Sequence, residues 1–172
     1  MMETNNANGS SGGISNVFIE KTIKAIPTTN FIGVYSAENF PFTYLDRNRT
    51  QKMVLICNLS PSDKPGTHFV TLCCTNNILR YFDSLALDPE LVSPELYKSI
   101  KKCGRQLWYV IDDPIQAENS EFCGFYSMLY ALLSDDYIKL CKPSGLKRFK
   151  KIDLDENDAI CISNLLTVID CI

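Results

Sequence analysis

Four residues of this chain have the types and the order that nucleophilic acyl transfer requires. His68 is the only histidine, and imidazole is the one side chain whose unperturbed pKa places its proton exchange near neutral pH. Asp83 ends the segment RYFD, Gln116 opens QAENSEF, and Cys123 begins CGFYSMLYALL. A base, an orienting acid, an amide donor and a thiol are together the components of a thiol hydrolase.

Each of the four has a defined task in that hypothesis. Cys123 stands at the start of an apolar helix, where unpaired N–H groups and the helix dipole favour a thiolate nucleophile. His68 would take the thiol proton and return it to the leaving amine, while Asp83 orients the imidazole. Gln116 and the Cys123 backbone N–H would stabilise the oxyanion. Taken singly, each residue type also has an ordinary structural explanation, so the hypothesis depends on the joint spacing.

A sheet must bring these residues together, and the sequence predicts its strands. Apolar and β-branched runs favour strands in FIGVY, KMVLIC, HFVTLCCT, ILRYFDS and LWYVID. Asn76 and Asn77 separate the third and fourth runs, which predicts a tight antiparallel hairpin. Because the two strands return on each other, the hairpin would place Asp83 beside His68.

Helices are predicted before, between and after these strands. Ser15 can cap a first helix over VFIEKTIKAI, which Pro27 ends. A surface helix is expected from Pro94 to about Lys102, and NFPF and SPSDKPG indicate a turn and a loop. The segment from Cys123 to about Leu140 is apolar nearly all round, as in a helix at the centre of a domain. The acidic start of DENDAICISNLLTVIDCI suits a last helix.

These elements predict an α+β fold, in which a mostly antiparallel sheet packs on a central buried helix that carries Cys123 at its N-terminus. Residues 1–13 are rich in Asn, Gly and Ser and are expected to be a disordered tail. Residues 14–172 are expected to form a single cysteine protease domain.

Composition indicates an ordinary globular protein of a cell interior. Apolar residues make up 45% and charged residues 22% of the 172, and no apolar run approaches the length of a membrane span. The start lacks the basic and apolar regions of a secretory signal, so secretion is not expected. The eight cysteines are therefore expected to be free, and since no C-x2-C pair occurs, no metal site is predicted. A net charge of -3 gives no general expectation of nucleic-acid binding.

The motifs H-aromatic, FDSL and Q-x6-C-G at the head of a helix resemble the adenovirus-type maturation proteases and their relatives, the SUMO and ubiquitin-like deconjugases. The upstream FIGVYSAENFPF and KMVLICNLSPSDKPGTHF are similar to the adenoviral layout. Deconjugases usually carry Trp after the histidine and Asp before the cysteine, where this chain has Phe69 and Phe122. The compact size and the longer Gln-to-Cys interval favour a viral protease, or one of virophages and Polinton elements.

The resemblance implies His68, Asp83, Gln116 and Cys123 as the site, with no cofactor needed for the reaction. Adenoviral relatives are activated by DNA and by a disulfide-linked peptide, and Cys103 lies roughly where the peptide-linked cysteine falls. Basic residues that could meet phosphates, or simply face solvent, are Lys101, Lys102, Arg105, Lys147, Arg148, Lys150 and Lys151. Gly12–Gly13 is similar to a Gly-containing cleavage site and suggests self-trimming, although a flexible linker explains it equally well.

The expected activity is a cysteine endopeptidase that cleaves virion precursor proteins during capsid maturation. We expect a monomer that acts in the virion and the host cell interior, without a membrane partner. Three alternatives remain open: a deconjugase of a SUMO-type modifier, an acyltransferase of the YopJ type, and a degenerate binding or scaffold protein that kept the fold.

Overall fold

The computed structural model describes residues 14–60, 67–141 and 143–171. The tail predicted over residues 1–13, with its Gly12–Gly13 pair, lies outside the described residues. So does the loop predicted at SPSDKPG, apart from Ser60.

Five strands form one mixed sheet in the order β1-β2-β3-β4-β5. They are β1 Phe31–Ser36, β2 Met53–Asn58, β3 Phe69–Thr75, β4 Ile78–Phe82 and β5 Gln106–Tyr109. The pairs β2–β3 and β3–β4 are antiparallel, and β1 and β5 join them in parallel at the two edges. The α+β class is confirmed, and the antiparallel pairing that the sequence predicted occupies the centre of the sheet.

The hairpin that positions the candidate base and acid is β3–β4. Its register pairs Thr75 with Ile78 and Thr71 with Phe82. Asn76 has a φ of 47°, in the left-handed region that asparagine tolerates better than most residues, which allows the tight turn. His68 directly precedes β3 and Asp83 directly follows β4, so the two side chains emerge at the same end of the hairpin.

The helices cover both faces of the sheet. They are α1 Asn16–Lys24, α2 Phe42–Arg47, α3 Pro89–Val92, α4 Pro94–Lys102, α5 Cys123–Ser134, α6 Asp136–Cys141 and α7 Asn157–Asp170, with short 3-10 helices at Ala37–Asn39 and Leu154–Glu156. The Ser15 hydroxyl accepts a hydrogen bond from the Phe18 N–H at 3.1 Å, so the predicted cap of α1 is confirmed. The turn predicted at NFPF instead leads into α2, and α3 was not predicted.

Two apolar clusters lie on opposite faces of the sheet because side chains alternate along each strand. On β2, Val54 and Ile56 belong to the cluster under α1, α5 and α7, while Met53, Leu55 and Cys57 belong to the cluster under α2 and α4. Every residue of β2 is buried, as expected of a strand covered on both sides. Cys123 belongs to the first cluster and Cys103 to the second.

The helix predicted from Cys123 to about Leu140 is interrupted, which corrects the sequence-based expectation. Asp135 has an extended backbone, with φ -73° and ψ 141°, and separates α5 from α6. Its carboxylate accepts hydrogen bonds from the backbone N–H groups of Thr29 and Asn30 at 3.0 and 2.8 Å. This bond to the start of β1 is a long-range contact that helical periodicity does not reveal. None of the helices in the described segments is both long and apolar enough to cross a bilayer.

Candidate active site

A cleft of about 540 Å³ lies at the end of the hairpin and contains three of the four predicted residues. Its lining is Ile14, Leu59, Thr67, His68, Phe69, Leu85, Leu87, Val92, Gln116, Glu118, Ser120, Glu121 and Cys123. The fourth, Asp83, is 2% exposed and supports the histidine from beneath. The structure therefore brings together His68 before β3, Asp83 after β4, Gln116 in the loop before α5, and Cys123 of α5 itself.

The imidazole is held by the buried carboxylate. His68 Nε2 lies 2.8 Å from Asp83 Oδ1, which also accepts the Leu85 backbone N–H at 2.8 Å. The other carboxylate oxygen accepts the Tyr81 hydroxyl at 3.3 Å. A carboxylate fixed by three partners sets the ring orientation, because Nε2 is committed to Asp83 and Nδ1 is the nitrogen left for a second partner.

The Cys123 thiol lies within hydrogen-bonding reach of the His68 side chain. Burial by itself lowers the pKa of His68, but the hydrogen bonds to Asp83 and Cys123 and the charges of both groups outweigh it and raise the pKa to about 9. The imidazole is therefore protonated at neutral pH. A protonated imidazole beside a cysteine stabilises the thiolate, which is the reactive form of the nucleophile.

Cys123 is the first residue of α5, as the sequence predicted, and is 8% exposed. Gly124 follows, and its lack of a side chain allows Ile14 of the cleft lining to pack against the start of α5. A Cβ added at Gly124 would lie 2.5 Å from Ile14 Cγ1, which is too close. Cys123 thus stands where a helix N-terminus meets the cleft, with its backbone N–H not used inside the helix.

Gln116 is fixed in one orientation by its neighbours. Its side-chain Oε1 accepts the Ser84 hydroxyl at 2.6 Å, and its Nε2 donates to the Ser120 carbonyl at 2.6 Å. Its own backbone N–H donates to the Ser84 carbonyl at 3.1 Å. Because an amide nitrogen carries two hydrogens, the bond to the Ser120 carbonyl uses only one of them.

Sequence reasoning missed the residues that hold Gln116 and the loop before α5. Ser120 donates from its hydroxyl to Asp158 Oδ2 at 2.8 Å, and that hydroxyl also accepts the Phe122 N–H at 3.3 Å. Ser84 directly follows Asp83 in FDSL, so the motif itself contained a signal for it. Asp158 was interpreted only as part of an acidic helix start, and no local pattern links it to Ser120.

Cys103 lies apart from this cleft, at the C-terminal end of α4 in the second apolar cluster. It is fully buried, and burial raises the pKa of its thiol to about 11. A link to an activating peptide stays a prediction, and it would require this thiol to become accessible.

The basic residues singled out in the sequence do not all face solvent. Arg105 is 6% exposed and donates through Nη2 to the Leu45 carbonyl at 2.5 Å, so it belongs to the packing of α2 and not to a surface patch. The residues that do face solvent are Lys101, Lys102, Lys147, Arg148, Lys150 and Lys151. Phosphate contacts by these lysines and Arg148 remain a prediction.

The remaining cysteines are not part of a metal centre in the described segments. All eight cysteines are free, and only Cys141 and Cys171 are more than slightly accessible. Within residues 14–60, 67–141 and 143–171, no group of three or more His, Cys, Asp or Glu side chains is placed to hold a metal ion.

Comparisons with known proteins do not assign a family or an activity to this chain. No protein-family model matches the chain, and no curated protein matches it. Among solved structures, the chain is similar to AvrA delL154 with IP6 and CoA, at 13% identity and a TM-score of 0.49, over 90% of this chain and 68% of that one. At this level of similarity, the chemistry of the site must be judged from its own residues.

Proposed function

We propose that this protein is a cysteine peptidase that forms an acyl-thioester on Cys123. The observation that carries the proposal is the cleft in which His68, held 2.8 Å from buried Asp83, reaches the Cys123 thiol at the head of α5. His68, Gln116 and Cys123 line this cleft and Asp83 holds His68 from outside its lining, which supports nucleophilic acyl transfer as the reaction.

The reaction follows from the contacts. The Cys123 sulfur attacks the scissile carbonyl carbon, and the carbonyl oxygen takes the negative charge while the free Gln116 Nε2 hydrogen and the Cys123 backbone N–H donate to it. When the C–N bond breaks, the protonated His68 gives its proton to the departing amine. His68 then takes a proton from water as the water oxygen attacks the thioester carbonyl, the C–S bond breaks, and the carboxylic acid product leaves behind the thiolate and the protonated His68 that began the cycle.

The proposed substrates are virion precursor proteins, cleaved in the virion or host cell interior by a monomeric enzyme. The sequence resemblance to adenovirus-type maturation proteases supports this choice, as does a cleft with apolar side chains along its walls. DNA or a peptide bound near Cys103 remains a candidate activator.

The cleft also suggests a charge preference. Glu118 and Glu121 are exposed on the loop between the oxyanion amide and the nucleophile. None of the described lining residues is Lys or Arg. We therefore expect substrates with neutral or basic residues near the scissile bond, since an acidic residue there would meet like charges.

The substrate and the acceptor of the acyl group together distinguish this proposal from its alternatives. The wild-type protein is incubated separately with a Gly-containing capsid-type peptide, with SUMO or ubiquitin bearing a C-terminal fluorogenic amide, and with acetyl-CoA plus a Lys, Ser or Thr acceptor peptide. We expect cleavage of the first only, and its loss in Cys123→Ala. Preferred release from the modifier would favour a deconjugase, and acetyl transfer would favour an acyltransferase. No turnover of any kind, with no selective thiol labelling at Cys123, would indicate a scaffold protein.

A further inference from the structure

We propose that Asp158, on the last helix α7, is a positioning residue for the oxyanion hole, acting on Gln116 through Ser120. This inference rests on the proposed function, because it assigns a role to a residue that supports the same site. It makes α7 part of the catalytic apparatus, although α7 contributes no side chain to the described cleft lining.

The contacts form a continuous chain from α7 to the amide. Asp158 Oδ2 accepts the Ser120 hydroxyl at 2.8 Å, and the Ser120 carbonyl accepts Gln116 Nε2 at 2.6 Å. The same Ser120 hydroxyl accepts the Phe122 N–H at 3.3 Å, next to the nucleophile. One serine thus connects the carboxylate, the oxyanion amide and the residue before Cys123.

A second residue of α7 holds the other side of Gln116. Asn157 is fully buried, and its Nδ2 donates to the Ile115 carbonyl at 2.8 Å. Ile115 precedes Gln116, and the Ser120 carbonyl receives the amide of Gln116, so the first turn of α7 fixes the backbone both before and after the donor. The neighbouring Tyr126 hydroxyl of α5 lies 3.1 Å from Asp158 Oδ1, which joins the nucleophile helix to the same carboxylate.

The Asp158 contacts are expected to set the direction of the Gln116 amide hydrogen more than the strength of its hydrogen bond to the oxyanion. An oxyanion donor is effective only where its hydrogen points at the developing charge, and a displacement of about 1 Å can cost on the order of a hundredfold in rate. Without the Asp158 carboxylate, Ser120 loses the acceptor that orients it, and its carbonyl no longer holds one Gln116 hydrogen away from the cleft. The partners of Asp158 in the described segments are Ser120 and Tyr126 and not the His68–Asp83 pair, so thiol activation is expected to be unaffected.

The experiment compares Asp158→Ala, Asp158→Asn and Ser120→Ala with Asp155→Ala, a control that removes an exposed carboxylate from the preceding 3-10 helix. We expect Asp158→Ala to lower kcat roughly 10- to 100-fold with little change in KM, and to weaken a peptide-aldehyde inhibitor, whose adduct carries the oxyanion, by a similar factor. Alkylation of Cys123 by iodoacetamide, which forms no oxyanion, is expected to keep its rate. Asp158→Asn retains an oxygen acceptor for Ser120 and is expected to restore most of the activity.

A readout that does not depend on activity separates this inference from the proposed function. The Gln116 side-chain amide resonances, assigned by their loss in Gln116→Ala, report the bond to Ser120 directly. We expect them to shift and exchange faster in Asp158→Ala and to be unchanged in Asp155→Ala. Unchanged amide resonances in a folded Asp158→Ala protein, or equal losses of aldehyde affinity and alkylation rate, would overturn the role of Asp158. Absent peptide turnover with altered amide resonances would instead overturn only the peptidase.

Discussion

Two cysteines lie at opposite ends of helices, on opposite faces of the sheet, and have different surroundings. Cys123 is the first residue of α5, where the helix dipole is positive, and it borders the cleft beside His68. Cys103 follows the last residue of α4, where the dipole is negative, and its thiol is directed to the Ser99 carbonyl at 3.4 Å.

Burial alone does not separate the two, because Cys123 is only 8% exposed and Cys103 is fully buried. What differs is the partner. Cys123 has a protonated imidazole, while Cys103 lies in the second apolar cluster, where burial raises its pKa to about 11. The two thiols therefore differ in the helix end at which they lie and in the imidazole that only Cys123 has beside it.

The largest effect should come from removing each thiol in turn. Cys123→Ala is expected to lower kcat by on the order of 10⁴-fold or more, because the acyl intermediate forms on this sulfur. Cys103→Ala removes a buried thiol of the other face and is expected to leave kcat within about twofold while lowering stability by about 1 kcal/mol. Peptide hydrolysis and urea unfolding check both. A strong loss of kcat in Cys103→Ala, with kcat retained in Cys123→Ala, would assign the reaction to Cys103 and contradict the role of Cys123.

The oxyanion donor gives the next largest effect. Gln116→Ala is expected to lower kcat by roughly 10²- to 10³-fold, because one donor to the tetrahedral intermediate is lost. Gln106→Ala, on the exposed part of β5, is the matched control and is expected to have no effect on kcat. Steady-state kinetics check the pair, and equal behaviour of the two variants would remove Gln116 from the site.

The pH dependence of activity and of stability tests the raised pKa of His68. Since the pKa of His68 is raised from 6.5 to about 9, its ion pairing stabilises the folded protein fully below pH 6.5 and is lost as pH rises through 9. Activity is expected to fall along an alkaline limb near pH 9. Asp83→Asn removes a charge that raises the pKa of His68, so the alkaline limb of activity should move toward neutral pH. The same variant should lose more unfolding free energy at about pH 6 than above about pH 9, because the ion pair is present only at the lower pH.

The pH dependence of kcat/KM and urea unfolding at the two pH values measure both effects. The matched control is Asp136→Asn, which removes an exposed carboxylate outside the described cleft lining and should leave the alkaline limb in place. An unmoved limb in Asp83→Asn would mean that another group sets it.

The smallest expected effect concerns the charge of the cleft. Peptides with Lys near the scissile bond should be cleaved roughly 3- to 10-fold more efficiently than the same peptides with Glu, since exposed ion pairs are weak. The preference should shrink at high salt and in the Glu118→Gln, Glu121→Gln double variant. Glu95→Gln, at an exposed position of α4 outside the described cleft lining, should preserve the preference for Lys. A preference for Glu would contradict this account of the cleft.

The sequence predicted the parts of the site whose signals are local. The Ser15 cap, the hairpin at Asn76 and Asn77, and the helix start at Cys123 follow from neighbouring residues, and the hairpin alone brings His68 to Asp83. These predictions succeeded because turn chemistry and helix starts depend on a few adjacent side chains.

The remaining features depend on distant contacts. Three features join segments that are far apart in the chain. They are the parallel pairing of β1 with β2 and of β4 with β5, the contact of Asp135 with Thr29, and the hydrogen bond from Ser120 to Asp158. Helix α2 is short. Its Leu45 side chain packs into the second cluster, and the Leu45 carbonyl accepts a hydrogen bond from Arg105. A periodicity of so few residues does not predict such a helix.

The central claim is that His68 activates Cys123, and site-resolved alkylation tests it most directly. The folded protein is treated with limiting iodoacetamide near pH 6, and mass spectrometry identifies which of the eight cysteines is modified first, in the wild type and in His68→Ala. The account predicts that Cys123 reacts before the exposed Cys171 in the wild type and loses this advantage in His68→Ala. Preferred labelling of Cys171 in both proteins, with Cys123 slow, would contradict it.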